Sequence, residues 1–178
     1  MSLLTRNWGW IAATLLVAAA VHVASVALVP HMIMQVTMRA IGRGGINTMM
    51  FGRRPTSASR GVVRPSPDLL YSSCVFDLSA GPVHVSAHGM PQTYWSVSLF
   101  DAETNNFFVL DDRQAKTGDV DFTIVPPDQD RQPRGMVVRS PTRTGLVLFR
   151  TLIDDDARLA AIDAARRHAS CAPYSFAR

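Results

Sequence analysis

Few groups in this sequence could do chemistry, and two of them are histidines on one predicted strand. His84 and His88 alternate with Val83, Val85 and Ala87, which is the period-two pattern of a strand with one buried face. At ~3.3 Å per residue the two imidazoles stand ~13 Å apart, too far to bind one metal ion without a bend in the strand. We therefore predict that both are polar surface residues.

A run of three carboxylates, Asp154–Asp156, has the chemistry to bind a hard cation. Leu159, Ile162 and Arg166 follow it at helical spacing, so helix capping is the favoured role. No Ser or Cys lies in a GxSxG-type nucleophile elbow, and Gly42–Gly45 is not preceded by the strand that a phosphate-binding loop needs. The residues thus predict no catalytic set, no cofactor and no metal site.

The distribution of charge argues against a nucleic-acid-binding protein. The 178 residues contain 18 Lys+Arg and 14 Asp+Glu, a net charge of +4. Six arginines and no acid lie in residues 39–64, whereas residues 65–178 contain eleven basic and fourteen acidic groups. A nucleic-acid module carries positive charge on its folded surface, interleaved with aromatic residues. Here the basic excess belongs to one short segment, and no nucleic acid is expected as a partner.

Near the N-terminus, residues 11–29 form an apolar run without Asp, Glu, Lys or Arg. About 20 such residues in a helix span a hydrocarbon core of ~30 Å. Trp8 and Trp10 precede the run, where aromatic rings favour the headgroup region. The competing interpretation is a signal peptide cleaved near Ala20, but signal cores usually stop after ~7–15 residues. We assign residues 1–36 to one N-terminal transmembrane helix.

Residues 37–64 form a connector rich in Arg, Met and Gly. Its methionines and arginines would allow it to lie at the bilayer surface against anionic lipid. They would equally allow adaptable packing against a partner helix, and the glycines and Pro55 are also compatible with a solvated tether. Membrane lipid is therefore one expected partner.

Beyond residue 64 the pattern changes to the alternation of half-buried strands. The strand candidates are residues 69–77, 83–87, 94–99, 107–110, 119–124, 135–139 and 145–151. About seven short strands separated by Gly- and Pro-containing turns indicate an antiparallel arrangement rather than a βαβ fold. We predict a mainly β (α+β) domain over residues 65–178, an antiparallel β-sandwich or barrel-like sheet with a C-terminal helix.

The same strands carry motifs that resemble the DUF1254 family. These are Pro67-Asp68-Leu69-Leu70-Tyr71-Ser72, Asp77-Leu78-Ser79-Ala80-Gly81-Pro82, Tyr94-Trp95-Ser96-Val97 and Thr104-Asn105-Asn106-Phe107. The similarity covers roughly residues 62–170, and the DLSxGP block is its most specific part. The chain is most similar to short members with one N-terminal membrane helix, which lack the DUF1214 half of longer members. The family has no settled activity, so the resemblance implies a module without implying a reaction.

The resemblance implies a disulfide between Cys74 and Cys171, which match the two cysteines of the short members. The bond would connect the first long strand to the final helix. The alternative is two buried free thiols, the state expected in a reducing cytoplasm. The disulfide prediction is therefore linked to the compartment of the domain.

The resemblance also points to ligand-binding candidates in its first motif. Asp68 and Tyr71 are these candidates, with Arg64 and Arg150 as charge partners, because a carboxylate, a phenol and a guanidinium can together orient a polar ligand. In the alternative, Asp68 caps a turn and Tyr71 fills the sheet core.

Two classes of function remain open at this point. The first is a membrane-anchored accessory module without catalytic activity, which pairs with a DUF1214-like or other membrane protein because longer members carry both halves on one chain. The second is a small-molecule-binding or hydrolytic envelope domain with a pocket near Asp68 and Tyr71.

The topology signals conflict. Arg6 alone precedes the apolar run, whereas Arg39, Arg43, Arg53 and Arg54 follow it, and this asymmetry would place the domain in the cytoplasm. The candidate disulfide and the export signals of longer family members favour the opposite orientation. We predict a single-pass protein of the bacterial inner membrane with a periplasmic domain.

Overall fold

The computed structural model describes residues 3–60, 64–115 and 118–176. It begins with one long helix, α1 (Leu3–Ile41), whose 39 residues correspond to about 58 Å at 1.5 Å per residue. Pro30 lies inside this helix without ending it, although a proline removes one backbone hydrogen bond. The helix stops where glycines begin, in a single 3₁₀ turn at Gly42–Gly44. The helix is long and apolar enough to cross a membrane.

In the part of the chain that the structure describes, nine strands and one short helix follow this turn. They are β1 (Met50–Phe51), β2 (Leu69–Asp77), β3 (Val83–Ala87), β4 (Trp95–Asp101), β5 (Asn106–Asp111), β6 (Val120–Val125), β7 (Val137–Arg139), β8 (Thr144–Leu152), α2 (Leu159–Arg166) and β9 (Ser170–Pro173). A five-stranded antiparallel sheet has the order β1-β2-β8-β4-β5, and a four-stranded sheet has the order β7-β6-β3-β9. The mainly β fold with a helix near its C-terminus is confirmed; the β6–β7 pair is parallel, so the second sheet is mixed.

The main core lies between the two sheets and follows the alternation of the strands. Val83, Val85 and Ala87 of β3 are fully buried, and Phe76 of β2 and Phe149 of β8 meet them from the other sheet. The side chains that alternate with these residues point away from the core. The five-stranded sheet therefore has a second face, which we call the outer face.

The end of α1 covers part of that outer face. Met34 and Met38 are 4% and 7% exposed and pack in one cluster with Val75 of β2 and Leu146 of β8. The connector continues into the fold, because Phe51 of β1 pairs with β2. Segments on both sides of residue 37 therefore contact the β domain directly; the domain boundaries drawn from the sequence stay a prediction.

The carboxylate run and the histidines have identifiable partners. The side chain of Asp155 accepts a hydrogen bond from the Ala157 backbone at 2.9 Å and caps the 3₁₀ turn before α2, as expected. His84 lies 3.2 Å from Asp121, and His88 lies 3.6 Å from Asp119. Each imidazole thus has its own carboxylate on the strand surface.

The predicted disulfide is present, with one correction. Cys74 and Cys171 are bonded, with Cα atoms 6.5 Å apart. The sequence placed Cys171 on the final helix, but it lies on β9, a strand that follows α2 and pairs with β3. The bond therefore links the two sheets of the sandwich across their core.

Removing this bond should destabilise the domain strongly. It closes a loop with a sequence separation of 97, for which loop-closure entropy gives an upper figure of about 4–5 kcal/mol. We expect reduction to lower the urea midpoint of the detergent-solubilised protein. Cys74→Ala/Cys171→Ala should have a similarly low midpoint that reductant no longer changes. An unchanged midpoint of the fully reduced wild-type protein would contradict this prediction.

Candidate functional site

Two of the four ligand-binding candidates lie side by side on the outer face. Tyr71 of β2 is the register partner of Arg150 of β8, so both side chains project from the same face of the sheet. The Tyr71 hydroxyl accepts a hydrogen bond from the Ser66 backbone at 3.0 Å. This contact holds the loop before β2 against the sheet.

Arg64 joins Tyr71 in a groove of about 430 Å³, which we call the collar groove. Its walls come from the last turns of α1, the loop between β1 and β2, and the outer face; the lining includes Thr37, Ile41, Arg53, Arg64, Tyr71 and Leu148. Asp68 is exposed and does not line this groove. The structure thus brings Tyr71 together with Arg64 and with Arg150, whereas Asp68 stands apart. A ligand-binding role for the four residues stays a prediction.

Arg150 occupies an unusual polar position on the sheet. Its Nη2 donates to the Ser98 hydroxyl at 3.0 Å. Its Nε and the hydroxyl of the neighbouring Ser96 are buried without a hydrogen-bond partner among the described residues. Buried polar groups normally find partners, so this part of the outer face retains unused hydrogen-bonding capacity.

Arg166 joins three parts of the chain next to the collar groove. This side chain of α2 is 2% exposed. It donates to the Tyr71 carbonyl at 2.9 Å, to the Ser72 hydroxyl at 2.9 Å and to the Gly52 carbonyl at 2.7 Å, and it pairs with Asp163. Arg166 therefore fixes the connector and α2 to β2, directly behind the backbone of Tyr71.

The Arg166–Asp163 pair is perturbed by its surroundings. Burial lowers the pKa of Arg166, and the hydrogen bond from its guanidinium to Asp163 opposes that effect. Burial alone would raise the pKa of Asp163, but hydrogen bonds from Arg167 and Arg166 outweigh it and lower the pKa. Arginine stays protonated in proteins, so the two side chains form a charged pair that acts as a structural clamp.

From the sequence, Arg166 is recognised only as one of the residues at helical spacing after the carboxylate run. A stronger signal was available, because Leu159, Ile162 and Arg166 fall on one helical face at the spacing of a buried stripe. In the structure Ile162 and Arg166 are the buried residues of α2. An arginine on an otherwise apolar face indicates a buried charge that needs partners.

Substitution of Arg166 should cost far more stability than substitution of its neighbour. Arg166→Met leaves two carbonyls and the Ser72 hydroxyl without their donor and Asp163 with Arg167 alone, and breaking a buried pair costs about 3–5 kcal/mol. Arg167→Met removes an exposed ion pair with the same Asp163, which contributes about 0–1 kcal/mol. Urea unfolding of both variants measures the difference. Equal losses in the two variants would contradict the clamp.

The face of α1 opposite the docked residues is exposed. Met32, Ile33 and Val36 are 64%, 54% and 63% exposed. They continue the exposed apolar surface of the preceding helix, whereas Met34 and Met38 lie against the sheet. Over this stretch α1 therefore presents apolar side chains on two faces, only one of which contacts the domain.

Comparison with known proteins shows the same fold in a larger protein. The crystal structure of the VPA0106 protein from Vibrio parahaemolyticus is similar, with a TM-score of 0.62 and 16% identity over 86% of this chain. The chain spans 39% of the length of that structure. An uncharacterized protein from Burkholderia cenocepacia matches with a TM-score of 0.48 and 17% identity, over 62% of this chain and 32% of that one. No curated protein matches.

A family match agrees with the motifs and with the fold. The family described as "Protein of unknown function (DUF1254)" matches residues 46–173, a range that starts before β1 and ends with β9. The match covers well over half of the chain. The chain therefore belongs to the DUF1254 family.

Proposed function

We propose that the protein is a single-pass anchor of the bacterial inner membrane that holds its DUF1254 domain rigidly at the periplasmic surface. There it acts as a non-catalytic accessory module for another membrane protein, a DUF1214-like protein or another membrane assembly. The single observation that carries the proposal is the continuity of α1 from the apolar segment to the docked residues.

The connection between helix and domain leaves little freedom to swing. Met34 and Met38 belong to the same helix as the apolar run and pack against the outer face. The connector beyond the helix is held by the Arg166 bond to Gly52 and by the pairing of β1 with β2. A domain attached in this way keeps one orientation relative to the helix, which suits a module that presents a surface to a partner in the same membrane.

The disulfide supports a periplasmic domain. Structural disulfides persist in oxidising compartments such as the periplasm and are rare in the cytoplasm. The arginines after the helix favour the opposite orientation when they are counted as a topology signal. We give the disulfide more weight, because a cytoplasmic domain would lose a covalent bond from its core.

The exposed face of α1 is the surface on which we place the partner. The large exposed apolar side chains beyond α1 in the described residues, Ile46, Tyr94, Val109 and Met136, are single residues in separate parts of the chain, and scattered apolar residues need no explanation. Met32, Ile33 and Val36 form a stripe at helical spacing, and a membrane helix with the same orientation can pack against it.

Site-specific photocrosslinking in intact cells tests this placement. A photoreactive residue at Ile33 or Val36 should give one discrete protein adduct of constant size and in high yield. The same group at Val109, an exposed apolar residue on edge strand β5, is the matched control and should not give this adduct. Failure of positions 33 and 36 to give a protein adduct, or the same adduct from all three positions, would contradict the placement.

Ligand binding is the second candidate function, and the collar groove is the observation in its favour. Arg64 and Tyr71, two of the four residues nominated from the sequence, line it. The two arginines of the groove, Arg53 and Arg64, favour an anionic ligand.

A further inference from the structure

We propose that the collar groove binds one anionic phospholipid, with the headgroup phosphate on Arg53 and Arg64 and the start of an acyl chain on the apolar floor. The inference rests on the membrane anchoring of the proposed function, and it is independent of the partner protein.

The floor of the groove is apolar, and hydrogen-bond donors lie at its mouth. Leu146 and Leu148 of β8 and Ile41 of α1 supply apolar surface. Arg53 and Arg64 supply the guanidinium groups, and Tyr71 supplies a hydroxyl hydrogen. This pairing of an apolar surface with donors at one end matches an amphiphile with an anionic head.

The charge at the groove is positive and uncompensated. Both Arg53 and Arg64 are exposed, and no carboxylate lies among the lining residues. In the described part of the chain, neither arginine forms an ion pair, whereas the adjacent Arg54 pairs with Asp156. Guanidinium groups bind phosphate through paired charge-assisted hydrogen bonds. The phosphate of an anionic headgroup would therefore give both arginines the negatively charged partner that they lack.

The position of the groove relative to the bilayer favours lipid over a dissolved anion. Thr37 lines the groove and directly follows Val36, the last residue of the exposed apolar stripe. The headgroup layer begins where such apolar surface ends and is about 5–8 Å thick on each side of the bilayer. The mouth of the groove thus lies at the membrane surface, within reach of lipid headgroups, when α1 spans the membrane.

A second groove on the other side of α1 fits this ligand less well. It has about 320 Å³ and is lined by Arg39 and Arg43, but also by Asp77. The carboxylate offsets part of the positive charge and would repel a phosphate. The collar groove is therefore the better anion site.

Native mass spectrometry of the full-length protein in neutral detergent tests the proposal. The probes are phosphatidylglycerol, phosphatidylcholine and glycerol phosphate. We expect one phosphatidylglycerol to bind the wild-type protein at least tenfold more tightly than either other probe. Arg53→Gln/Arg64→Gln should weaken that binding about tenfold or more, since each arginine near an anionic lipid surface contributes measurably to binding.

Two further variants separate a specific site from general surface charge. Arg60→Gln/Arg131→Gln makes the same change in net charge at exposed arginines that do not line the groove, and it should bind phosphatidylglycerol like the wild type. Leu148→Trp should reduce binding by filling the floor while both arginines remain. The Cys74–Cys171 bond, measured by alkylation, confirms that each variant is folded.

Three results would overturn the assignment. They are unchanged binding in Arg53→Gln/Arg64→Gln, an equal loss in the charge-matched control, and binding of glycerol phosphate as tight as that of phosphatidylglycerol, which would indicate a soluble-anion site. None of these would alter the crosslinks at Ile33 and Val36, so failure of this proposal is distinguishable from failure of the proposed function.

Discussion

The packing of α1 against the outer face of the five-stranded sheet is the contact on which the remaining features depend. A sheet with apolar residues on both faces needs a cover on each. The four-stranded sheet covers one face, and Met34 and Met38 of the chain's own helix cover part of the other. Because that helix continues from the apolar N-terminal segment, the cover also determines how the domain is oriented. The collar groove exists because the helix ends on the sheet.

Two clamps keep this arrangement in place. Arg166 fixes the connector and α2 to β2 through the carbonyls of Gly52 and Tyr71, and the Cys74–Cys171 bond fixes β9 to the same strand. The buried Arg166, the disulfide and the last turns of α1 therefore all contact β2. In our account Arg53 and Arg64 form a headgroup site, and the disulfide carries more weight for the orientation than the count of arginines that follow the apolar run.

Much of the fold could be predicted from the sequence because its strands are half-buried. The alternation of apolar and polar residues at 83–87 correctly predicted which side chains of β3 are buried. The motifs around Asp77 identified the family. The capping role of the carboxylate run followed from its place before a helical pattern. These predictions depend on local periodicity and spacing, which a single sequence displays directly.

The features that were not predicted from the sequence depend on tertiary contacts. β1 has two residues and β9 has four, so neither is long enough to show an alternating hydrophobic pattern. Both form because they pair with the edge of a neighbouring strand, β2 and β3 respectively. For the candidate site, Tyr71, Arg64 and Arg150 could be grouped by motif and charge, whereas Arg53 and the cover supplied by α1 depend on how the connector folds back over the sheet.

Substituted-cysteine labelling of spheroplasts tests the central claim most directly, because it reports docking and orientation together. Met38→Cys and Ala40→Cys lie two residues apart on α1, one buried and one exposed, and Ser79→Cys is an exposed control on the β domain. With a membrane-impermeant maleimide, the account predicts labelling of Ala40→Cys and Ser79→Cys without permeabilisation, and labelling of Met38→Cys only after denaturation. Equal labelling at positions 38 and 40 would show that the helix is not docked, and labelling of Ser79→Cys only after permeabilisation would show that the domain lies in the cytoplasm.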